Sequence, residues 1–295
     1  MKYRLNTTNY HTFSVFGVNN LPPRSYFIPY PTRADADAVT PKRKRYASPK
    51  VECLNGIWDF KFYPLPAELP AELDTDAVAF DKLDVPSCWQ FRGYDRPFYV
   101  NYRYQFPYKP PVIPATDKVG RVFSWLGCDT GLRPRWITPE EEYNFVGVYR
   151  RFFDVADADK HIVISFLGVA SCLDLYLNGK YIGYAEGSHN TAEFDLSGKV
   201  QPGQNELLAV VHRWCNGTYL ENQDMFRNNG IFRDVLLRTE EPADFRDIDA
   251  KTEKKDGRYT LTLTAETHAD TTVTFTLQGH GLTRTATVPT QDKTA

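Results

Sequence analysis

Two stretches of the sequence combine the residue types that bind sugars. Residues 87–107 (SCWQFRGYDRPFYVNYRYQFP) contain Asn101, and residues 218–235 (TYLENQDMFRNNGIFRDV) contain Asp224. Carboxylates and amides exchange hydrogen bonds with neighbouring hydroxyl groups, and aromatic rings cover the apolar face of a pyranose. The alternative interpretation is that the aromatic side chains belong to a core and that Asn101 and Asp224 cap turns. Residue types alone leave both interpretations open.

Signatures of catalysis are absent from the sequence. It contains no GxSxG, HExxH, P-loop or GxGxxG motif. The six histidines stand at no metal-ligand spacing, so each is interpreted as a surface or strand residue. They are His11, His161, His189, His212, His268 and His280. Glycoside hydrolysis needs two facing carboxyl groups, and no spacing here indicates such a pair. The isolated chain is therefore expected to be inactive.

The elements that must position these stretches are predicted to be β-strands. Apolar residues alternate in LNGIWDFKF from residue 54, in HIVISFLG from residue 161 and in CLDLYLN from residue 172. The pair Asn178-Gly179 indicates a tight hairpin turn. ELLAVVHRW and IFRDVLLR are nearly continuous in apolar character, which is typical of strands covered on both faces. Many short strands without a βαβ rhythm predict an all-β sandwich.

The chain is expected to divide into three parts. Residues 1–48 are rich in proline and predict an extended arm lying on something larger. Residues 49–241 form the main sandwich. Residues 242–295 carry a second alternating pattern of about four strands, whereas an immunoglobulin-like sandwich needs about seven. The second domain is therefore expected to be incomplete, with the missing strands removed or supplied by a partner.

Charge and composition exclude several partners. The net charge is −2, which offers no field for gathering nucleic acid or an anionic membrane. The longest apolar run is too short and too interrupted to span a bilayer. The basic first residues are not followed by the apolar segment of a secretion signal, so a cytoplasmic location is expected. The five cysteines include no CxxC pair and are expected to be reduced.

Four ordered motifs resemble the N-terminal region of the beta-galactosidases of glycoside hydrolase family 2. They are LNGIWDFKF (54–62), VPSCWQ…GYDRPFYVNYRYQFP…PPVIP (85–114), LNGKYIGYAEGS…AEFDLS (177–197) and RWCNGTYLENQDMFRNNGIFRDV (213–235). The resemblance runs from about residue 20 to 240. Four motifs in order and at family-like spacing are much more specific than any one of them.

The resemblance implies a jelly-roll, galactose-binding-like β-sandwich followed by a partial immunoglobulin-like β-sandwich. In the family, a catalytic (β/α)8 barrel then carries the glutamates of a retaining beta-galactosidase and its magnesium ligands, and this sequence has no residues that match them. The family's sugar-binding asparagine falls on Asn101 and its aspartate on Asp224. Near this aspartate, Phe226 is expected to be a packing residue, Arg227 to brace the loop and Asn228–Gly230 to reverse the chain. In the family that aspartate also helps to hold a sodium ion, for which a hard carboxylate oxygen is suited.

Two departures from the family pattern concern the neighbourhood of this pocket. Tyr102 stands where the motif often has a small aliphatic residue, so its side chain is expected to fill a different space. Residues 119–144 resemble an insertion, whose Trp125 and Trp136 are expected either to shield the pocket or to pack against a partner.

Three hypotheses about function follow. The first is a non-catalytic N-terminal portion of a beta-galactosidase that binds the galactoside together with the rest of the polypeptide or a separate catalytic subunit. The second is a stand-alone carbohydrate-binding module. The third is an assembly protein that docks through the arm and the insertion, with self-association into a homo-oligomer as one form. Nucleic acid and membrane are not expected as partners.

Overall fold

A computed structural model describes residues 1–39, 46–95, 97, 99–100, 144–221 and 223–295. Asn101, Tyr102 and almost the whole 119–144 insertion lie outside the described residues, so the predictions made for them stay predictions. The chain forms two compact units. The first comprises residues 1–21, 53–159 and 163–237, and the second comprises residues 22–52, 160–162 and 238–295.

The described residues are dominated by short strands. The strands are β1 (Lys2–Arg4), β2 (Gly17–Val18), β3 (Val51–Cys53), β4 (Gly56–Tyr63), β5 (Glu72–Asp74), β6 (Asp81–Val85), β7 (Tyr99–Val100), β8 (Val146–Val155), β9 (His161–Phe166), β10 (Val169–Ala170), β11 (Cys172–Leu177), β12 (Lys180–Glu186), β13 (Ala192–Asp195), β14 (Gly203–His212), β15 (Met225–Phe226), β16 (Gly230–Ile231), β17 (Val235–Glu240), β18 (Phe245–Lys255), β19 (Arg258–Thr267), β20 (Thr272–Gly279) and β21 (Leu282–Pro289). The helical elements are α1 (Arg33–Asp37) and 3-10 turns at Asn9–His11, Pro66–Glu68, Trp89–Phe91 and Asn216–Tyr219. No helix in the described part of the chain is long and apolar enough to cross a membrane.

Two antiparallel sheets form the main framework. The larger has seven strands in the order β2-β12-β11-β14-β8-β4-β6, and the smaller has four in the order β13-β9-β17-β3. The longest pairing in the seven-stranded sheet runs between β8 and β14, from Val146 opposite His212 to Val155 opposite Gly203. The all-β sandwich class predicted from the strand pattern is therefore confirmed.

Most predicted strands are confirmed because their signals are local. LNGIWDFKF contains all of β4 except Tyr63, HIVISFLG contains β9 and CLDLYLN contains β11. Asn178 and Gly179 have φ angles of 49° and 80° and join β11 to β12, as the hairpin signal predicted.

The prediction of one strand over IFRDVLLR is wrong. The chain there is divided into β16 and β17, because the backbone N–H groups of Phe232 and Arg233 both donate to the carbonyl of Gly168, at 3.2 and 3.4 Å, rather than to a ladder. The side chain of Asn55 fixes the start of β17 by accepting a hydrogen bond from the N–H of Val235 at 3.0 Å.

Strand β11 is buried along its whole length in the first unit. Leu173, Leu175 and Leu177 share one face by the two-residue period of a strand, as predicted. The opposite face carries Asp174 and Tyr176, and residues from the N-terminus cover it. Tyr3 and Leu5 pack in one cluster with Tyr176, and Asn9 Nδ2 donates to Asp174 Oδ1 at 3.4 Å. A charged residue type is thereby enclosed in the core.

The second unit contains two long hairpins. Strand β18 pairs with β19 around a turn at Asp256 and Gly257, and β20 pairs with β21 around a turn at His280 and Gly281. These are the four strands predicted after residue 242. Few of their side chains are enclosed: Ala265 and Val273 are buried, whereas Tyr259 is 70% exposed.

Candidate functional site

The predicted site residue Asp224 directly precedes a short strand pair in the first unit. Strand β15 pairs with β7, with Met225 opposite Val100 and Phe226 opposite Tyr99. The Tyr99 hydroxyl donates a hydrogen bond to Oδ1 of Asp224. This hydrogen bond raises the pKa of the Tyr99 phenol above its ordinary value, so the hydroxyl remains a donor to the carboxylate at neutral pH. The two stretches that are predicted to bind sugar therefore meet at Asp224.

Asn101 lies outside the described residues, one position after the end of β7. Its neighbour Val100 pairs with Met225, which is in turn the neighbour of Asp224. The structure thus pairs the backbone positions next to both predicted site residues, and the role of Asn101 itself stays a prediction.

Two exposed aromatic rings stand beside the Asp224 carboxylate. Tyr99 is 53% exposed and Phe226 is 59% exposed, and their ring centroids lie 5.6 Å apart at an angle of 58°. The sequence motif predicts Phe226 as a packing residue, and this is wrong for the described structure, because the β7–β15 register carries its ring on the exposed strand pair. Tyr99 contacts both the Phe226 ring and the Asp224 carboxylate, which gives the mixture of apolar and charged surface that suits a pyranose.

Arg227 braces the turn that carries Asp224. Its guanidinium donates to the carbonyl of Glu221 at 2.7 Å and to the carbonyl of Gln223. Arg227 is buried, and burial lowers its pKa although the nearby Glu221 and Asp224 carboxylates act in the opposite direction. This agrees with the interpretation that Arg227 supports the loop and does not contact a substrate.

Both carboxylate oxygens of Glu221 accept hydrogen bonds within the fold, whereas the carboxylate of Asp224 is exposed. The donors to Glu221 are the backbone N–H and the hydroxyl of Ser188, each at 2.6 Å. Sequence inspection did not single out this residue, and the contact could not be found from spacing because the partner lies in a different part of the chain. Of the two acids in the turn, Asp224 is the one presented to solvent.

The end of the turn is fixed by amide side chains. The N–H of Asn229 donates to Gln90 Oε1 at 2.9 Å, and Gln90 Nε2 donates back to Asn229 Oδ1 at 3.2 Å. Gly230 has φ +117°, and a Cβ there would stand 2.9 Å from both the Ser87 carbonyl and the Tyr149 hydroxyl. Only glycine fits this position, so the Asn-Asn-Gly segment is structural, as its turn signal predicted.

A cavity of about 160 Å³ opens beside the turn. Its lining includes Ser188, His189, Glu221 and residues 225–229, and also Gln223, but it does not include Asp224. Small-molecule pockets usually enclose about 300–1,000 Å³. The cavity is therefore too small to enclose a sugar by itself, and a sugar placed at Asp224 would need further walls.

Two other carboxyl groups of the first unit are held by hydrogen bonds inside the fold, with Asp174 fully buried and Glu186 half-buried. Burial raises the pKa of Asp174 to about 8 against the lowering effect of hydrogen bonds from Tyr181 and Asn9. Burial likewise raises the pKa of Glu186 to about 7. Glu186 accepts from Asn216 Nδ2 at 3.0 Å and from the Gly217 N–H at 2.7 Å, which anchors the 3-10 turn before Glu221. Both groups are structural.

Comparison with known proteins gives a family match. The description "Glycosyl hydrolases family 2, sugar binding domain" matches residues 51–127 and 136–242. A beta-galactosidase from Actinobacillus pleuropneumoniae is 36% identical over 252 residues, which cover 85% of this chain and 22% of that protein. One from Enterobacter cloacae is 37% identical over 247 residues, which cover 79% of this chain and 21% of that protein. The chain spans about a fifth of the length of these relatives.

Among solved structures, the beta-D-mannosidase from Dictyoglomus thermophilum has a TM-score of 0.51 at 17% identity. The match covers 83% of this chain and 30% of that chain. At this identity the likeness bears on the fold alone, and it agrees with the β-sandwich described above.

Proposed function

The chain belongs to glycoside hydrolase family 2, and from this we propose that it is the sugar-binding portion of a beta-galactosidase that hydrolyses terminal non-reducing β-D-galactose. In this proposal Asp224 and Asn101 contribute to the galactose pocket. The acid/base and nucleophilic carboxylates are supplied by a catalytic barrel in the rest of the polypeptide or in a separate chain. The isolated chain is then a binding element without turnover.

The hydrogen bond between Tyr99 and Asp224 is the observation that supports this proposal most. It joins residues 125 positions apart in sequence, one from each of the two stretches that resemble the family's sugar-binding motifs. A tyrosine that occupies Oδ1 orients the carboxylate and leaves Oδ2 to accept hydrogen bonds from adjacent sugar hydroxyls. The exposed faces of Tyr99 and Phe226 suit the apolar face of the ring.

A sodium ion at Asp224 is part of the proposal as a further ligand of the same carboxylate. Asp224 supplies one hard, exposed oxygen, which fits such a cation. Among the described residues, a group of three potential metal ligands is found in the second unit and none of its members is Asp224. The remaining oxygen donors would come from the catalytic barrel or the sugar.

We also propose a cytoplasmic location, and two buried cysteines support it. Cys172 and Cys215 are buried in one core cluster of the first unit and are present as thiols. Reduced thiols in proximity fit a reducing compartment.

The test is to replace Asp224 in the complete enzyme in which we place this chain. Asp224→Asn keeps the shape but removes the charge, and a hydrogen bond to a charged group contributes about 1.5–3 kcal/mol. We therefore expect kcat/KM for a chromogenic β-galactoside to fall about 10- to 100-fold, by the conversion of 1.4 kcal/mol per factor of ten. The measurement is steady-state hydrolysis.

Asp159→Asn serves as the control, because Asp159 is an exposed aspartate in a loop of the same unit. It should leave kcat/KM unchanged. Full activity in Asp224→Asn would contradict the proposed role. Turnover by the isolated 295-residue chain would contradict the assignment of chemistry to other residues, and tight galactose binding by that chain in calorimetry would favour a stand-alone carbohydrate-binding module.

A further inference from the structure

Two histidines and a glutamate converge in the second unit. His161 is the first residue of β9, Glu240 is the last residue of β17, and His268 directly follows β19. His161 and Glu240 are 79 positions apart in sequence. The three side chains meet because strand ends from distant segments lie together, and no local motif links them.

The geometry of the group is compact. His161 Nδ1 lies 3.0 Å from Glu240 Oε2, and His268 Nε2 lies 2.7 Å from the same oxygen. The two imidazole rings have centroids 4.4 Å apart. One ligand atom from each residue lies within 4.8 Å of the other two. Two nitrogens and one carboxylate oxygen therefore surround a common point.

Glu240 is held in place by a second contact. Arg238 Nη1 donates to the other carboxylate oxygen, Oε1, at 2.6 Å. Burial alone would raise the pKa of Glu240, but hydrogen bonds from His161 and His268 and the charge of Arg238 lower it well below its usual range. The group is anionic at neutral pH, with one oxygen directed by the arginine and one directed at the histidines. Orientation of a ligand by an outer hydrogen bond is typical of metal sites.

Solvent reaches the histidines although the carboxylate is enclosed. The side chain of His161 is 29% exposed and that of His268 is 13% exposed, against 2% for Glu240. The positive charge of Lys160, which adjoins His161, is balanced by Glu241 at 2.5 Å. An ion from solution can therefore approach the two imidazoles from outside while the carboxylate forms the floor of the site.

We infer that His161 Nδ1, His268 Nε2 and Glu240 Oε2 bind a divalent transition-metal ion, with Zn²⁺ as the best fit. Two imidazoles and a carboxylate are the donors of three-ligand zinc sites that keep a fourth position for water. Imidazole nitrogens favour zinc, copper and nickel over magnesium or calcium, which take oxygen ligands.

Small adjustments convert the present contacts into such a site. Metal–ligand bonds of about 2.0–2.2 Å in a tetrahedron set ligand atoms about 3.3 Å apart. The two histidine–carboxylate separations are 3.0 and 2.7 Å, and the two nitrogens are at most 4.8 Å apart, so each side chain would move by about 1 Å or less. Each neutral imidazole would carry its proton on the nitrogen that faces away from the metal.

The experiment is calorimetric titration of the metal-free 295-residue chain with Zn²⁺. We expect one equivalent to bind in the wild type and this equivalent to be lost in His161→Gln and in His268→Gln. His280→Asn is the matched control, because His280 is an exposed histidine of the same unit with φ 48°, which asparagine accepts. Cys53→Ser controls for an exposed thiol. Both controls should retain the equivalent.

X-ray absorption at the zinc edge of the wild type tests the same ligands without any substitution. The expected spectrum contains imidazole and oxygen donors and no sulfur. Binding that persists in both histidine variants, sulfur donors in the spectrum, or no stoichiometric binding by the wild type would each overturn the inference. Circular dichroism of every variant verifies folding, and the wild-type spectrum decides the matter if a histidine variant does not fold.

Discussion

Asp224 and Asp174 are two aspartates of the first unit that each accept a hydrogen bond from a tyrosine, in opposite surroundings. Asp224 is exposed and is approached by Tyr99 on a short strand pair. Asp174 is fully buried on β11, where Tyr181 donates to it at 3.0 Å. The same pair of groups therefore serves two purposes. An exposed carboxylate with a free oxygen can bind a ligand, whereas a buried one is a constraint on the core.

The strongest test of this contrast concerns the pH dependence of stability. The folded pKa of Asp174, about 8, lies above its ordinary value of 3.8. The contribution of the protonated Asp174 carboxyl group to the free energy of unfolding is therefore fully present below about pH 4 and is lost as pH rises towards about 8. At about 1.4 kcal/mol per pKa unit this loss amounts to several kcal/mol. The Asp174→Asn variant has no ionisable group at this position. Its free energy of unfolding should therefore fall less between pH 5 and pH 9 than that of the wild type.

Urea unfolding at several pH values measures this effect. Asp154→Asn provides the control, since Asp154 is an exposed aspartate on β8 and its replacement should leave the wild-type pH dependence unchanged. Parallel curves for the wild type and Asp174→Asn would show that Asp174 is not a buried carboxyl group with a raised pKa.

Removing the tyrosine donor from the buried aspartate should have a smaller effect. Tyr181→Phe leaves Asp174 with the single long contact from Asn9 and takes away the oxygen that accepts from Asn9 Nδ2 at 2.9 Å. An unsatisfied buried polar group costs about 1–3 kcal/mol, so the free energy of unfolding should fall by that amount. Denaturant unfolding at pH 7 measures this change in the free energy of unfolding. An unchanged unfolding midpoint would contradict the view that the buried Asp174 constrains the core.

The matched change at the exposed aspartate should have the smallest effect on stability. Tyr99→Phe removes the donor to Asp224 at the surface, where substitutions usually have little effect on stability. In the complete enzyme, kcat/KM for a β-galactoside should still fall about 3- to 10-fold, because Asp224 loses a hydrogen bond that orients it. If Tyr99→Phe greatly lowered the free energy of unfolding and left kcat/KM unchanged, the Tyr99–Asp224 pair would have a structural role and not a role in binding.

Local sequence signals predicted much of the framework. Strand β4, strand β11 and the turn at Asn178 and Gly179 follow from alternation and from residues that accept left-handed backbone angles. The break between β16 and β17 could not be predicted, since it depends on the carbonyl of Gly168, which is distant in sequence. The burial of Asp174 could not be predicted either, because residues 1–21 cover a face of β11 that alternation alone would leave in solvent.

The candidate site likewise combines features that the sequence predicted with features that it could not predict. The motif around Asp224 identified the carboxylate, but the exposed ring of Phe226 was predicted to be packed, because a two-residue strand has no period from which a face can be assigned. The histidine spacings gave no metal site, yet His161 and His268 both contact the same carboxylate oxygen of Glu240. Sequence spacing is informative for ligands on one element and has no bearing on ligands from three separate segments of the chain.

The all-β class, most strand positions, the family and the proposal of Asp224 follow from the sequence, because hydrophobic period, turn residues and motif order are properties of short segments. The folded chain was needed to show which acids are enclosed, which tyrosine donates to Asp224, and which histidines meet Glu240. Those outcomes depend on contacts between segments far apart in the chain, and burial and electrostatics are determined by such contacts and not by residue type.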